Sequence, residues 1–184
     1  CAKVQAETGA VLVHPFDDAD VIAGQGTAAL ELLEDAPDLD AVIVPVGGGG
    51  LLSGTAIAAK GTRPGLRVFG AEPANADDAF RSFRSGRVEP VATTTTIADG
   101  LRTPLSRRTL AAIRARVDAI GLASEAAIVR AMRMTWERMK IVVEPSSAVP
   151  LACLLDGSLD VQGLRVGVVV SGGNVDLDRL PWQR

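Results

Sequence analysis

Short β-branched apolar runs alternate along the chain with longer stretches whose apolar residues recur at helical spacing. Residues 41–46, 67–71 and 164–170 are runs of the first kind, short enough to read as buried strands and far too short to span a bilayer. Residues 117–120 predict a further short strand, and Val11-Leu12-Val13 another that ends at His14-Pro15. Helical spacing covers 51–60, 78–87, 105–117, 124–140 and the Ala/Leu-rich segment up to Leu155. A further helix carries Val21, Ile22, Ala28, Ala29, Leu32 and Leu33 on one face, with Asp17 and Asp18 available to cap it. It ends near Asp35-Ala36-Pro37, and Gly24-Gln25-Gly26-Thr27 interrupts its early part, which implies close packing or a nearby ligand. Residues 1–8 read as the last turns of a helix stopped at Gly9, and 89–96 as irregular. Strand, helix, strand, helix, strand at these lengths predicts βαβ units: an α/β three-layer sandwich with a mostly parallel sheet.

The chain is organised around Gly47-Gly48-Gly49-Gly50, which joins the strand at 41–46 to the helix at 51–60. Four glycines remove every side chain from the turn, so its backbone can take positive φ and approach a ligand closely. The helix that follows points free N–H groups and the positive end of its dipole into the turn, which makes an anion site suited to a phosphate. A flexible linker is the weaker reading, because buried-type sequence flanks the glycines on both sides. A Walker A loop is excluded, since Leu51-Leu52 stands where Lys-Ser/Thr is required. A dinucleotide turn fits poorly: Glu72 lies about twenty residues on, but the glycines are not spaced for it.

Composition narrows the picture. Apolar residues make up 47% of the 184 and aromatics only 3%, so Ala, Val, Leu and Ile must fill the core. A net charge of −3 with scattered arginines argues against a nucleic-acid surface. No apolar stretch reaches membrane-span length and the N-terminus has no signal-peptide architecture. Cys1 and Cys153 have neither metal nor redox spacing, Cys153 reads as a reduced core residue, and a cytoplasmic location is expected. His14, a lone histidine at a strand end, reads as structural. The start at Cys1, without an initiating Met, suggests part of a longer protein. Glu72, Asp77 and Asp78 lie within seven residues of one another. They suit a hard cation, or a helix start capped by Asn75 and Asp77, and spacing alone favours the cap.

Seven motifs, in order, then carry a family resemblance. They are the loop Pro45-Val46-Gly47-Gly48-Gly49-Gly50-Leu51, Gly24-Gln25-Gly26-Thr27, Gly70-Ala71-Glu72-Pro73, Thr96-Ile97-Ala98-Asp99-Gly100, Trp136-Glu137-Arg138-Met139-Lys140, Glu144-Pro145-Ser146-Ser147-Ala148 and Ser171-Gly172-Gly173-Asn174-Val175-Asp176. Together they resemble the pyridoxal-phosphate (PLP) enzymes of the tryptophan synthase β type, and within these the serine/threonine dehydratase and serine racemase group. The resemblance implies that Gly47, Gly48, Gly49, Gly50 and Leu51 hold the cofactor phosphate and that the Ser171 hydroxyl meets the pyridine nitrogen. Glu144 would stand near cofactor and substrate. Glu72, the carbonyl of Ala76, and Asp78 would bind Mg²⁺ or Ca²⁺, which reverses the preference for a cap. Lys140 and Asn174 match positions that contact a nucleotide activator such as ATP.

The implied reaction is β-elimination or racemisation of serine or threonine. A lysine takes the α-proton and the β-hydroxyl leaves, ending in a 2-oxo acid and ammonia. That lysine sits in a Ser-Phe-Lys-type motif in the family's N-terminal half. Lys3, Lys60 and Lys140, the three lysines here, have no such context. Residues 1–18 would be the end of the small domain and 19–184 most of the large one. The expected partner is the missing N-terminal half, as a separate chain or a lost segment, within a homodimer. A catalytically inactive remnant that binds PLP or another phosphate ester is the alternative. No regulatory extension follows Arg184, so feedback control like that of biosynthetic threonine deaminase is not expected.

Overall fold

The computed structural model describes residues 1–92 and 94–183. Its centre is strand β1, Ala41–Pro45, buried at every position. β1 pairs in parallel with β2, Arg67–Pro73, on one side and with β4, Val166–Val168, on the other; β3, Ala119–Ala123, pairs in parallel with β2. The order is β3-β2-β1-β4. A parallel sheet covered on both faces explains why β1 reads as an unbroken apolar run rather than an alternating one.

Successive β1 side chains enter opposite layers. Ala41 and Ile43 join a core with Ala127, Ile128 and Met132 of α6, Glu125–Met139, and Val149 and Cys153 of α7, Pro145–Leu155. Val42, Val44 and Val46 join a second core with Leu33 of α2, Ala19–Asp35, Leu52 and Ala56 of α3, Gly50–Thr62, Ala79 of α4, Asp78–Ser85, and Ile113 of α5, Arg107–Arg116. The three-layer α/β sandwich expected from the sequence is therefore present. Capping follows the side-chain chemistry: the Asp18 carboxylate accepts from the N–H groups of Asp20 and Val21, and the Ser124 hydroxyl from Ala127. Cys153 is free and fully buried, and burial pushes its thiol up to about 11.

Three sequence expectations are corrected. Residues 11–13 form no strand; Val11 is 86% exposed and no neighbouring strand supplies its hydrogen bonds among the described residues. The short helix before it, α1, Ala2–Thr8, buries no residue and ends at Gly9 with φ 69°. Gly24 and Gly26 do not interrupt α2, which runs unbroken to Asp35. The predicted strand at 164–170 shortens to Val166–Val168. The irregular reading of 89–96 holds at the described positions, and Thr93 lies outside them. His14 is structural here: its Nδ1 accepts from the N–H of Asp17 at 2.9 Å, and its ring meets Phe16 edge-on. Among the described residues no helix is long and apolar enough to cross a membrane.

Gly26 belongs to the close-packing half of its sequence reading. A Cβ on Gly54 of α3 would fall 2.3 Å from the Ile22 carbonyl oxygen and 2.7 Å from the Gly26 nitrogen, and one on Gly26 would fall 2.9 Å from the Gly54 carbonyl oxygen. The two helices touch backbone to backbone. Gly54→Ala is expected to lower stability by about 1–3 kcal/mol or more through forced separation of the helices. Thermal denaturation checks this, and Gly61→Ala, where a Cβ meets nothing within 4 Å, is the control expected to leave the melting temperature within a degree or two of wild type.

Candidate functional site

The glycine turn lies at the C-terminal end of β1, where ligands of parallel α/β sheets bind. Gly47, Gly48 and Gly50 pack too closely for a side chain. A Cβ would meet Leu101 Cα at 3.0 Å from Gly47, the Phe16 ring at 2.2 Å from Gly48 and Phe16 Cβ at 2.9 Å from Gly50. Gly49 has φ 86° and its absent Cβ faces Leu105 and Ile113, so glycine is needed there on both counts. Residues 47–50 are buried, yet among the described residues none of the N–H groups of Gly47, Gly48, Gly49, Gly50 and Leu51 donates a hydrogen bond within the protein. A buried amide without an acceptor costs about 1–3 kcal/mol, so this set of donors calls for an acceptor in the cavity, an anion or water. The same five residues line a cavity of about 330 Å³ together with Pro15, Phe16, Gln25, Gly100, Leu101, Thr103 and Ser171. A phosphate fits the donors and a flat ring extending toward Ser171 fits the lining.

Ser171 is held from below by α7. The Ser147 hydroxyl lies 3.1 Å from the Ser171 hydroxyl, 2.7 Å from the Gly172 carbonyl oxygen and 2.5 Å from the Gly172 nitrogen. Glu144 donates its N–H to the same Gly172 carbonyl and accepts the Asn174 N–H on its carboxylate at 3.0 Å. Ser146 accepts the Gly100 N–H at 3.1 Å. The start of α7 thus ties residues 97–101 and 171–174 to one point. Sequence reasoning missed Ser146 and Ser147 as organisers, and Phe16 and Thr103 as lining residues. Ser146 and Ser147 lay inside a flagged motif, and Gln25 inside the segment read as implying close packing or a nearby ligand.

The acidic cluster is a separate feature. Glu72, next to last in β2, is 1% exposed and accepts the N–H groups of Ala79 and Phe80 at 2.7 and 2.8 Å. It therefore caps α4, while Asp77 makes no side-chain cap bond and pairs with Arg81 instead. Asp78 is equally buried and neither of its carboxylate oxygens has a partner. Ala76, at the end of the short 3₁₀ turn Ala74–Ala76, is buried beside them. Among the described residues no three His, Cys, Asp or Glu side chains gather as a metal-binding group. The set expected from the resemblance has two carboxylates and one carbonyl, and the orphaned Asp78 oxygens fit a cation. Burial pushes Glu72 up to about 8, helped by the charges of Asp78 and Asp77, and pushes Asp78 up to about 6.

No lysine reaches the cavity lining: Lys60 pairs with Asp118 at 2.9 Å, Lys3 lies beside Glu7, and Lys140 is the left-handed residue that ends α6. Asn174 lines a different cavity of about 610 Å³ with Asp99, Arg102 and Asp176, and Lys140 is not part of that lining.

Comparison with known proteins now decides the family. A match to the pyridoxal-phosphate dependent enzymes covers residues 1–172. The chain belongs to that family. It is 52% identical to the beta-hydroxyaspartate dehydratase of Paracoccus denitrificans (strain Pd 1222) over 181 residues, which are 98% of this chain and 58% of the relative. Its structure is similar to that of maize serine racemase, with a TM-score of 0.92 and 46% identity over 96% of this chain and 57% of the other. It is similar also to a T.th. threonine deaminase, with a TM-score of 0.89 and 47% identity over 95% of this chain and 64% of the other. The sandwich is thus the tryptophan synthase β-like PLP fold of these enzymes. The chain spans about half the length of the curated relatives it matches.

The buried carboxylates of this family member make a pH prediction. With Glu72 raised from 4.5 to about 8, the folded chain holds a proton that the unfolded chain releases between those values. The unfolded state therefore binds fewer protons in that window, and stability falls as pH rises through it. In chelator-treated protein the melting temperature is expected to drop between pH 5 and pH 8, with a flatter profile for Glu72→Gln. An equal slope in the variant would assign the effect to other groups.

Proposed function

We propose that this chain supplies the cofactor cup of a PLP-dependent enzyme that deaminates or racemises a β-hydroxy amino acid, serine or threonine in the first instance. The carrying observation is the convergence of five unpaired N–H groups and the Ser171 hydroxyl on one cavity in a chain of this family. Relatives named for hydroxyaspartate extend the substrate class to a serine with a second carboxylate.

Each residue has a task in this reading. Gly47, Gly48, Gly49, Gly50 and Leu51 bind the phosphate by their amides, at the positive end of the α3 dipole. Ser171 faces the pyridine nitrogen. When bound, the cofactor serves as the sink for the electrons left at the substrate α-carbon. Glu144 stands beside Gly172 at the rim, where its carboxylate can hold or move a proton. Phe16, packed on Gly48, keeps water from that side of the cup. Glu72, the Ala76 carbonyl and Asp78 take Mg²⁺ or Ca²⁺ away from the cup, in a structural part. Lys140 and Asn174 are assigned to an ATP-type activator only in an assembly that brings them together. The α-proton base is a lysine outside these residues, supplied by an N-terminal half in a cytoplasmic homodimer.

The distance of Lys3, Lys60 and Lys140 from the cavity lining favours a second reading for the isolated chain, a remnant that binds PLP or another phosphate ester without reacting. Borohydride reduction after PLP incubation, followed by denaturing mass spectrometry, separates the two. A companion polypeptide carrying reduced cofactor is expected for the enzyme. Retention of PLP with no covalent adduct marks the remnant, and an adduct on Lys3, Lys60 or Lys140 would overturn both.

Divalent cations are expected to raise the melting temperature of the chain. At a hundredfold excess over Kd the linkage stabilisation is about 2.7 kcal/mol. Asp78→Asn is expected to remove the response to Mg²⁺ and Ca²⁺ alike, and a full response in that variant would place the cation elsewhere.

A further inference from the structure

We propose that the groove between the end of α4 and the outer face of α5 is a second anion site, built for a small organic phosphate with a carboxylate at its far end. α5 has two faces. Thr109 and Ile113 point toward the glycine turn, where a Cβ added to Gly49 would fall 3.0 Å from each. Arg107, Leu110, Ala111 and Arg114 follow the i, i+3, i+4, i+7 spacing that puts them on one stripe of the other face. They line a cavity of about 670 Å³ whose second wall is Gly86, Arg87 and Val88. Seven residues of α-helix rise about 10 Å. Arg107 and Arg114 therefore stand two turns apart, with Leu110 and Ala111 between them.

The charges in this groove are available to a ligand. Among the described residues neither Arg107 nor Arg114 pairs with a carboxylate. Arg87 meets Glu89 only at 3.7 Å with its side chain 82% exposed, a loose pair of little worth in water. Arg114 is also held in place. Its guanidinium lies against Gly86, where a Cβ would fall 2.2 Å from Nη1. Gly86 ends α4 with φ 78°, so glycine is needed there on both counts. Arg87 follows Gly86 directly and lines the same cavity, so that end offers two guanidinium groups to the one at Arg107. A phosphate dianion engages two such forks and a carboxylate engages one. Leu110, Ala111 and Val88 make the stretch between the two ends apolar, which suits an apolar body over a bare polyanion. The whole chain carries a net charge of −3, so this local excess of positive charge is not that of a generally basic protein.

The test is isothermal titration calorimetry of the PLP-loaded holoenzyme, freed of excess cofactor, with three probes at one ionic strength. The probes are 4-carboxyphenyl phosphate, phenyl phosphate and inorganic phosphate, and affinity is expected to fall in that order. Arg114→Ala is expected to weaken both esters by about tenfold, the loss of a charge-assisted hydrogen bond. Arg107→Ala is expected to bring 4-carboxyphenyl phosphate down to the affinity of phenyl phosphate and to leave phenyl phosphate unchanged. Arg116→Ala, an exposed change on the same helix outside the cavity lining, is expected to alter neither. All three variants change exposed side chains, so the fold is not at stake. No binding of either ester, inorganic phosphate binding as tightly as the esters, titrations unmoved by Arg107→Ala and Arg114→Ala, or an equal loss in Arg116→Ala would each overturn the proposal. The arginines lie outside the lining of the glycine turn, so the outcome stands apart from the reading of that cavity as a PLP site.

Discussion

Five amide groups without acceptors among the described residues, at the end of a strand with no exposed residue, are the constraint to which the rest of the structure answers. A turn of this kind is stable only if its backbone is held rigidly by neighbours and its donors are met by an anion or by water. The neighbours are close: Leu101 against Gly47, Phe16 against Gly48, and Leu105 and Ile113 against Gly49. β1 can be fully buried because β2 and β4 pair with it on both sides and helices cover both faces. The α2–α3 contact through Gly26 and Gly54 then fixes the direction of α3, and with it the direction in which its first N–H groups point. Packing that looks remote from the cup is thus what aims it.

The opposite wall is built by another principle. Ser171 follows β4, a three-residue edge strand paired on one side only, so burial cannot hold it in place. Hydrogen bonds from the first turn of α7 do so instead. Glu144 and Ser147 grip the loop at 171–174 and Ser146 grips Gly100, so one helix start sets the distance across the cavity. Hydrogen bonds made by partly buried hydroxyls and amides are directional where apolar packing is not, which suits a wall that, in the proposed function, presents one oxygen to one ring atom.

The sheet and the glycine turn were legible in the sequence because each rests on a local signal. β1 shows an unbroken apolar run, Gly47 to Gly50 a side-chain-free turn, and Ser124 a cap ahead of a periodic segment. The parts that were not legible depend on what lies across space. Val11 to Val13 has strand composition, but a strand needs a neighbour to pair with. Gly24 and Gly26 look like helix breakers until α3 is placed against Gly26, which then becomes the reason that α2 can approach. Glu72 lay in a cluster whose spacing suggested Asn75 and Asp77 as the caps. The carboxylate that does cap α4 comes from the end of β2, close in space because the chain turns through Ala74–Ala76. The hydroxyl pair of Ser147 and Ser171 joins the first turn of α7 to the loop after β4, 24 residues on, and no periodicity reports it.

The two buried carboxylates tie the acidic cluster to the cup. Glu72 alone is a satisfied cap, its oxygens both engaged by backbone amides, and burial favours its protonated form. Asp78 beside it has no hydrogen-bond partner for its carboxylate oxygens among the described residues, although it is just as deeply buried. A packed interior does not retain an uncompensated carboxylate without a cause, since the desolvation of a charge is among the largest penalties in folding. Among the described residues Arg81 makes no ion pair with Asp78, because its guanidinium is drawn to Asp77. In the function proposed above, a small divalent ion would satisfy Asp78 and take the Ala76 carbonyl as a further oxygen, with Glu72 beside it. It would lock the end of β2 to the start of α4, on the side of the sheet that carries α3 and the phosphate turn. In that reading the acidic cluster would act on the cup through rigidity, by the same packing that holds the glycine turn.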